Sequence, residues 1–354
     1  MKNKIGIVII FAFLLMLSGC SPGVDAVQTE EVVQADASIE AVREIFAMDT
    51  YMTVKAYGEN GEKAVEAAVS EIKRLDALLS TGNKSSEVAG LNTNGGGSLS
   101  EETEMLLERS LDLYRSTDGA FDIAIYPVMK AWGFTDSKYR VPPEAELGAL
   151  LELADPSLIE YDRENHTVFF EKEGMQIDFG GIAKGYTSAR IMDIYREYGI
   201  SSGLVNLGGN VQAFGTKPDG SDWRVAIQSP DDSGAYMGVL AVSDRAVITS
   251  GGYERYFEQD GELYHHIIDP ATGYPAYNGL ISVTIVSTDG TLADGLSTSL
   301  FIMGRDKAEA YWRAHSDEFD MILLSDDNEL YITEGIVQAF SSDLEVQIIE
   351  KDGE

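Results

Sequence analysis

Cysteine is almost absent: Cys20 is the single one in 354 residues. A disulfide within the chain is therefore excluded, as are Cys-x-x-Cys redox chemistry and a thiolate-rich structural zinc site. Histidine is scarce as well, with four in the chain, and none falls in a His-Glu-x-x-His helix. No serine sits in a Gly-x-Ser-x-Gly elbow, which disfavours serine hydrolysis of that design. Positive charge is in short supply: 26 Lys and Arg stand against 59 Asp and Glu, for a net charge of −33. Such a chain repels the phosphates of nucleic acid and of anionic lipid surfaces, so no nucleic acid is expected among its partners. After the N-terminal stretch no long apolar run occurs, no internal repeat is found, and no proline-rich linker divides the chain.

The N-terminal stretch is different. Lys2 and Lys4 precede an apolar run over 5–17 that ends in Leu17-Ser18-Gly19-Cys20. The run falls short of the ~20 residues that a membrane helix needs, and it has the build of a signal peptide. The small pair before the only cysteine resembles a bacterial lipobox. Residues 1–19 are expected to be removed, Cys20 to carry the lipid (palmitate-type acylation on sulfur), and residues 20–44 to form an acidic flexible tether. Residues 45–354 are expected to form one large domain.

Apolar spacing predicts a strand over 52–57 and a helix over 62–79. Residues 80–97 read as a glycine- and serine-rich loop. Ser100 followed by Glu101, Glu102 and Glu104 opens a helix running to about 116, which Asp118-Gly119 stops. An apolar, aromatic segment follows over 121–132, and Pro142-Pro143 starts a short helix. Short strands are expected within 159–178 and a helix over 182–198. Further strands fall at 204–205, 211–214, 223–227, 238–242, 246–249, 263–268 and 280–286. A buried helix over 291–303 follows, and strands at 321–324 and 330–333 are expected to close the sheet. The fold class expected is α+β, with mixed, largely antiparallel sheets flanked by helices.

Four segments carry chemistry. Asp178-Phe-Gly-Gly-Ile-Ala-Lys184-Gly-Tyr186 and Asn206-Leu-Gly-Gly-Asn210 place glycine-rich turns around a helix, with a lysine at its start. Backbone amides at such turns and at a helix N-terminus can approach phosphates; the glycine pairs could equally be plain tight turns. The spacing matches neither a Walker A loop nor a dinucleotide fingerprint, so it does not name the ligand. His265-His266-Ile-Ile268-Asp269-Pro270 puts two of the four histidines on a strand leading into a turn, where a near-neutral imidazole can move a proton or simply be half-buried. Asp294 and Thr298 share a helix face and offer hard oxygens suited to Mg²⁺ beside a phosphate; the alternative is a capping aspartate and a threonine bonded to its own backbone. Asp118-Gly-Ala120-Phe121-Asp122 sets an aromatic ring and a carboxylate at a turn, which could meet a ribose or an adenine amino group, or could be a helix stop before a core strand. Asp294 is taken as a near-surface carboxylate.

In their order and number these segments, with Met48 to Met52, Leu79-Ser-Thr81, Ser250-Gly-Gly-Tyr-Glu254 and Ala293 to Gly304, resemble the FAD:protein FMN transferases, the ApbE-type flavin transferase lipoproteins. The resemblance implies an enzyme that cleaves FAD with Mg²⁺ and passes FMN to a threonine or serine hydroxyl of an acceptor flavoprotein, releasing AMP. Some relatives instead hydrolyse FAD to FMN and AMP, and a surface flavin-binding lipoprotein without turnover is a further reading. The resemblance implies that Met48, Ala120, Phe121, Asp122, Asp178, Lys184 and Ile268 contact FAD. It implies that Gly181, Asp294 and Thr298 hold Mg²⁺ and that His266 sits near the reacting phosphate, where it or a metal-shell carboxylate is available to take the hydroxyl proton. It also implies a lipid anchor at Cys20 on the extracytoplasmic face of the cell membrane. The chain departs from the family pattern at Gly82, where an aromatic residue is common, and at Ser297, where an aspartate is common. The first puts one flavin or adenine stacking contact in question, and the second implies either a weaker metal site or one filled by one ion where relatives could hold two.

Overall fold

Period-two alternation decides the central layer. In the strand Phe319–Ser325, Phe319, Met321 and Leu323 face one layer of the core, and Ile322 and Leu324 face the other. The strand Ala246–Gly251 does the same, with Ile248 on the first side and Val247 on the second. A slip of one residue would exchange the two sets, so burial on both faces fixes the register. The structure, a computed structural model, describes residues 39–230 and 234–352. The expected signal peptide, Cys20 and the first part of the expected tether lie outside the described residues.

These strands belong to a nine-stranded sheet. Its order is Glu40–Ala47, Thr50–Tyr57, Ser202–Leu207, Asn210–Gly215, Ala246–Gly251, Leu280–Ser287, Phe319–Ser325, Leu330–Thr333 and Val346–Ile349. All neighbours are antiparallel except the last pair, which is parallel. One face is covered by the helices Gly61–Leu79, Ala183–Glu197 and Gly290–Met303, and the other by a three-stranded sheet that includes Trp223–Gln228 and Tyr236–Val242. The expected α+β class with largely antiparallel sheets is observed.

Five local readings need correction. The sheet begins at Glu40, inside the segment read as tether, because Ala41 and Ala47 are buried and the strand pairs along its full length with Thr50–Tyr57. Its acidic character is that of an edge strand: Glu40 accepts from Lys55 at 2.7 Å and from the Tyr57 hydroxyl at 3.0 Å. Charge along an open edge discourages pairing with other chains. Within the segment read as a loop, Glu87–Asn94 is a helix. Ser86 caps it by accepting the Ala89 amide at 3.0 Å, and Gly95, at φ 71°, ends it. The 121–132 segment forms a 3₁₀ turn and the helix Tyr126–Trp132 rather than a core strand. The sheet is closed by Val346–Ile349, beyond Leu330–Thr333, and the 263–268 stretch is divided. There, Glu262–His265 pairs with Tyr256–Gln259 in a separate hairpin, and Ile268 bridges to Pro275.

Two tight hairpin turns meet at one end of the large sheet. Met48 and Asp49 connect the first two strands at φ 48° and 59°, and Gly208 and Gly209 connect the next two at 66° and 96°. Both central residues of each turn lie at positive φ, the geometry that matches strand twist in two-residue hairpins. A Cβ at Gly208 would lie 2.2 Å from the Thr50 hydroxyl, so only glycine lets the two turns abut. The Ala183–Glu197 helix starts beside them.

Candidate active site

At this end of the sheet a cleft of about 1290 Å³ opens, above the roughly 300–1,000 Å³ of an ordinary small-molecule pocket. The walls carry all the residues singled out for ligand, metal or proton transfer: Met48, Ala120, Phe121, Asp122, Asp178, Gly181, Lys184, His266, Ile268, Asp294 and Thr298. The chain brings them together from the first hairpin turn, the segment after the Glu101–Ser116 helix, the turn at 178–182, two helices and the irregular segment after the small hairpin.

Asp294 is the structural centre of the wall. It is only 4% exposed, which corrects the expectation of a near-surface carboxylate. Its Oδ2 accepts the Gly185 amide at 2.8 Å, its Oδ1 accepts Asn210 Nδ2 at 2.8 Å, and Lys184 Nζ lies 3.9 Å from Oδ1. The Gly185 amide belongs to the first turn of the Ala183–Glu197 helix, which has no side-chain cap of its own. Asp294 thus caps that helix from a neighbouring one, where a negative charge is favoured. The approach depends on Gly185: a Cβ there would lie 2.2 Å from the Gly290 carbonyl oxygen. The capping role considered for Asp294 on its own helix is filled by Asp289, whose side chain accepts the Leu292 amide at 3.0 Å. One turn on, the Thr298 hydroxyl lies 3.2 Å from that of Ser250. Ser297 is fully buried, hydrogen-bonded to the Asp294 carbonyl and to the hydroxyl of the cleft residue Ser250, each at 2.8 Å, so it stands behind the wall rather than in the cleft lining.

Among the described residues no group of three or more His, Cys, Asp or Glu side chains is placed to hold a metal ion by itself. The oxygens that the resemblance implies as ligands, the Asp294 carboxylate, the Thr298 hydroxyl and the backbone of Gly181, all belong to residues lining the cleft. Mg²⁺ typically binds through one or two carboxylates with substrate phosphates and water completing its shell. This donor set fits one such ion shared with a phosphate, and it does not form a protein-only cage.

The cleft also carries shifted carboxyls. Asp122 is 9% exposed; its Oδ1 accepts the Ala124 amide at 2.6 Å, and its buried Oδ2 has no partner. Burial pushes its pKa up to about 7. An orphaned buried oxygen on a cleft wall is what a ligand donor would satisfy. Asp178 accepts the Gly180 amide at 2.8 Å, and burial raises its pKa against the pull of that amide and of Arg255. Glu254 opens onto the cleft with protein around it. Burial raises its pKa to about 7, Lys184 opposing and Asp294 adding to the shift.

His266 keeps one face to the cleft. Its Nδ1 lies 3.2 Å from the Arg255 carbonyl, which can only accept, so Nδ1 carries the proton and Nε2 presents a lone pair. Burial pushes its pKa down to about 3, with the Arg255, His265 and Lys184 charges adding to the effect. His265 is buried and structural: its Nε2 donates to the Ala276 carbonyl at 3.0 Å and its Nδ1 accepts the Ile267 amide at 3.2 Å.

Among the cleft residues with no role assigned from sequence are Tyr253, Glu254 and Arg255. They follow Ser250-Gly-Gly, a recognisable block, but nothing in their spacing announces that the turn delivers them to the cleft. Gly82 also lines the cleft, with no atom nearer than 3.8 Å to where a Cβ would stand, so the wall there is open.

A model of the ApbE family matches residues 48–323. The FAD:protein FMN transferase of Klebsiella pneumoniae (strain 342) is 34% identical over 290 residues, covering 81% of this chain and 89% of that protein. The FAD:protein FMN transferase of Treponema pallidum (strain Nichols) is 33% identical over 319 residues, covering 84% and 88%. Among solved structures, the ApbE protein of Thermotoga maritima superposes with a TM-score of 0.79 at 32% identity, covering 84% of this chain and 98% of that one. The flavin transferase ApbE from Vibrio cholerae gives 0.76 at 26%, covering 85% and 99%.

Proposed function

Because the chain belongs to the ApbE family, we propose that it transfers FMN from FAD to a threonine or serine hydroxyl of an acceptor protein and releases AMP. The observation that carries this reading is the Asp294 wall. A buried carboxylate, a lysine at a helix start and a threonine hydroxyl converge on a cleft of dinucleotide size.

In the reaction the acceptor oxygen forms a bond to the FMN-side phosphorus, and the bond from that phosphorus to the bridging oxygen breaks. AMP leaves with the bridging oxygen, and the hydroxyl proton passes to His266 Nε2. The free imidazole is a weak base at a pKa of about 3. The negative charge of bound phosphates raises it toward the working range. Lys184 neutralises pyrophosphate oxygens as charge builds on them. Asp294, Thr298 and the Gly181 backbone would hold Mg²⁺, which when bound supplies further neutralisation of that charge. Phe121 and Ile268 give apolar contact, and the orphaned Asp122 oxygen accepts a hydrogen bond from the ligand.

The test is one incubation of the protein with FAD, Mg²⁺ and a threonine-bearing acceptor peptide, read by mass spectrometry. A flavinylated peptide supports the transferase. Free FMN and AMP would make it a pyrophosphatase, and intact bound FAD would make it a flavin-binding protein without turnover.

The shifted carboxyls give a pH prediction. Asp122 and Glu254 both titrate at about 7, so each becomes neutral as pH falls from 8 to 6. FAD is an anion, so its metal-free affinity is expected to rise over that interval. Glu254→Gln, fixed neutral, should bind FAD more tightly at pH 8 and lose part of the pH dependence. Fluorescence titration at several pH values reads this, and an affinity that falls on acidification would contradict it.

We propose further that the protein is anchored by lipid at Cys20 on the extracytoplasmic face of the cell membrane. Cys20→Ala is expected to release it or leave it unprocessed. Retention of the mutant in washed membranes at high salt, which screens electrostatic attachment, would count against the anchor.

A further inference from the structure

Arg255 sits where the turn after the Ala246–Gly251 strand enters the small hairpin, and it makes two kinds of contact. Its guanidinium donates through Nη2 to the Phe134 carbonyl. Its own carbonyl accepts twice from His266, from the backbone amide at 3.0 Å and from Nδ1 at 3.2 Å. Phe134 closes the loop of contacts: its ring is buried and stands edge-on to the imidazole, 6.4 Å between centroids. The side chain of Arg255 is thereby tied to the segment that packs on His266, and its backbone to His266 itself.

We propose that Arg255 is the positioning residue for His266, anchoring the carbonyl that holds the imidazole as its Nδ1–H tautomer with the Nε2 lone pair free for the acceptor proton. The catalytic meaning of this rests on the transferase reading above; the tautomer does not. Several features agree with the assignment. Among the described residues no partner is recorded for His266 Nε2, and both residues line the cleft. The titratable groups facing the imidazole are Arg255 from the turn, the adjoining His265 and Lys184 from the helix start, and positive charge on any of them opposes its protonation. Loss of the guanidinium would thus loosen the ring and make it easier to protonate. A carbonyl that drifts lets the imidazole exchange its proton to Nε2, and an Nε2 that already carries a proton cannot take one from the acceptor hydroxyl.

The experiment uses the protein labelled with ¹⁵N-histidine, with Arg255→Gln and Arg255→Lys compared with wild type and His266→Gln identifying the resonances. Thermal melts check that each variant is folded. Wild type is expected to show a pure Nδ1–H tautomer at His266 that persists well below neutral pH. Arg255→Gln should show mixed tautomers, an upward shift in the His266 titration and a kcat for FMN transfer roughly 10-fold lower, the size of effect seen when a group that orients a histidine is lost. FAD affinity should be unchanged. Arg255→Lys, which keeps a cation able to reach the Phe134 carbonyl, should recover most of the rate and the tautomer. A wild-type tautomer in Arg255→Gln would overturn the proposal. So would weakened FAD binding with the tautomer intact, which would make Arg255 a phosphate contact. A wild-type protein that transfers no FMN would remove the transferase reading while the tautomer comparison still decides the positioning role.

Discussion

Asp294→Asn is expected to leave a folded protein whose FMN transfer is slower on the order of 10³-fold, a loss of several kcal/mol of transition-state stabilisation. The amide keeps the shape and an acceptor oxygen, so the Gly185 amide retains a partner, but the charge that a Mg²⁺ ion would need is gone. Asp294→Ala is a poorer test. It strands the Gly185 amide and the Asn210 side chain in a buried setting, at about 1–3 kcal/mol of stability for each unsatisfied group. Transfer rates with Mg²⁺ and with excess EDTA, alongside melting curves, separate the two effects. Wild-type turnover in Asp294→Asn, or in wild type under EDTA, would remove Asp294 from the metal site.

His266→Ala should lower kcat by roughly 10²–10⁴-fold, the usual range for a general base, while FAD still binds. Lys184→Ala should weaken binding and slow transfer together. The contrast follows from when each group acts. A cation on a ground-state phosphate contributes before and during the reaction, whereas a proton acceptor matters only as the hydroxyl attacks. Fluorescence titration with FAD and timed transfer at saturating FAD measure both terms. A His266→Ala protein that lost FAD affinity but kept its saturated rate would make the histidine a binding residue.

The parts of this site that could be read in the sequence are those whose signal is local. Lys184 at a helix start, the Asp294–Thr298 spacing and His266 before Asp269-Pro270 all sit in short patterns that a sequence displays directly. What could not be read is what arises from distant residues meeting. The burial of Asp294 comes from the crossing of two helices, and the partners that bury it, Gly185 and Asn210, are more than eighty residues away in the chain. The shifted pKa of Glu254 has the same origin. In the fold, the first strand was hidden because Glu40 and Glu44 face solvent and break its apolar pattern, as an edge strand tolerates. The last strand was missed for a different reason: its parallel pairing with Leu330–Thr333 depends on a return of the chain past Phe340–Ser341, which no local pattern marks.

The contact between Gly185 and Gly290 bears on how a substrate can get in. Two helices whose backbones touch, with a buried carboxylate stitched across them, cannot swing apart without breaking their own packing. That half of the cleft is an anvil. Movement around a bulky nucleotide and a protein acceptor is expected instead beside the cleft, where Arg255 and His266 line it at the two ends of a two-stranded ribbon, Tyr256–Gln259 and Glu262–His265, outside the large sheet. A small ribbon with few backbone partners opens at lower free energy than a sheet centre. Amide hydrogen exchange should then divide the site in two, with the Gly185 amide among the slow exchangers and the ribbon among the fast.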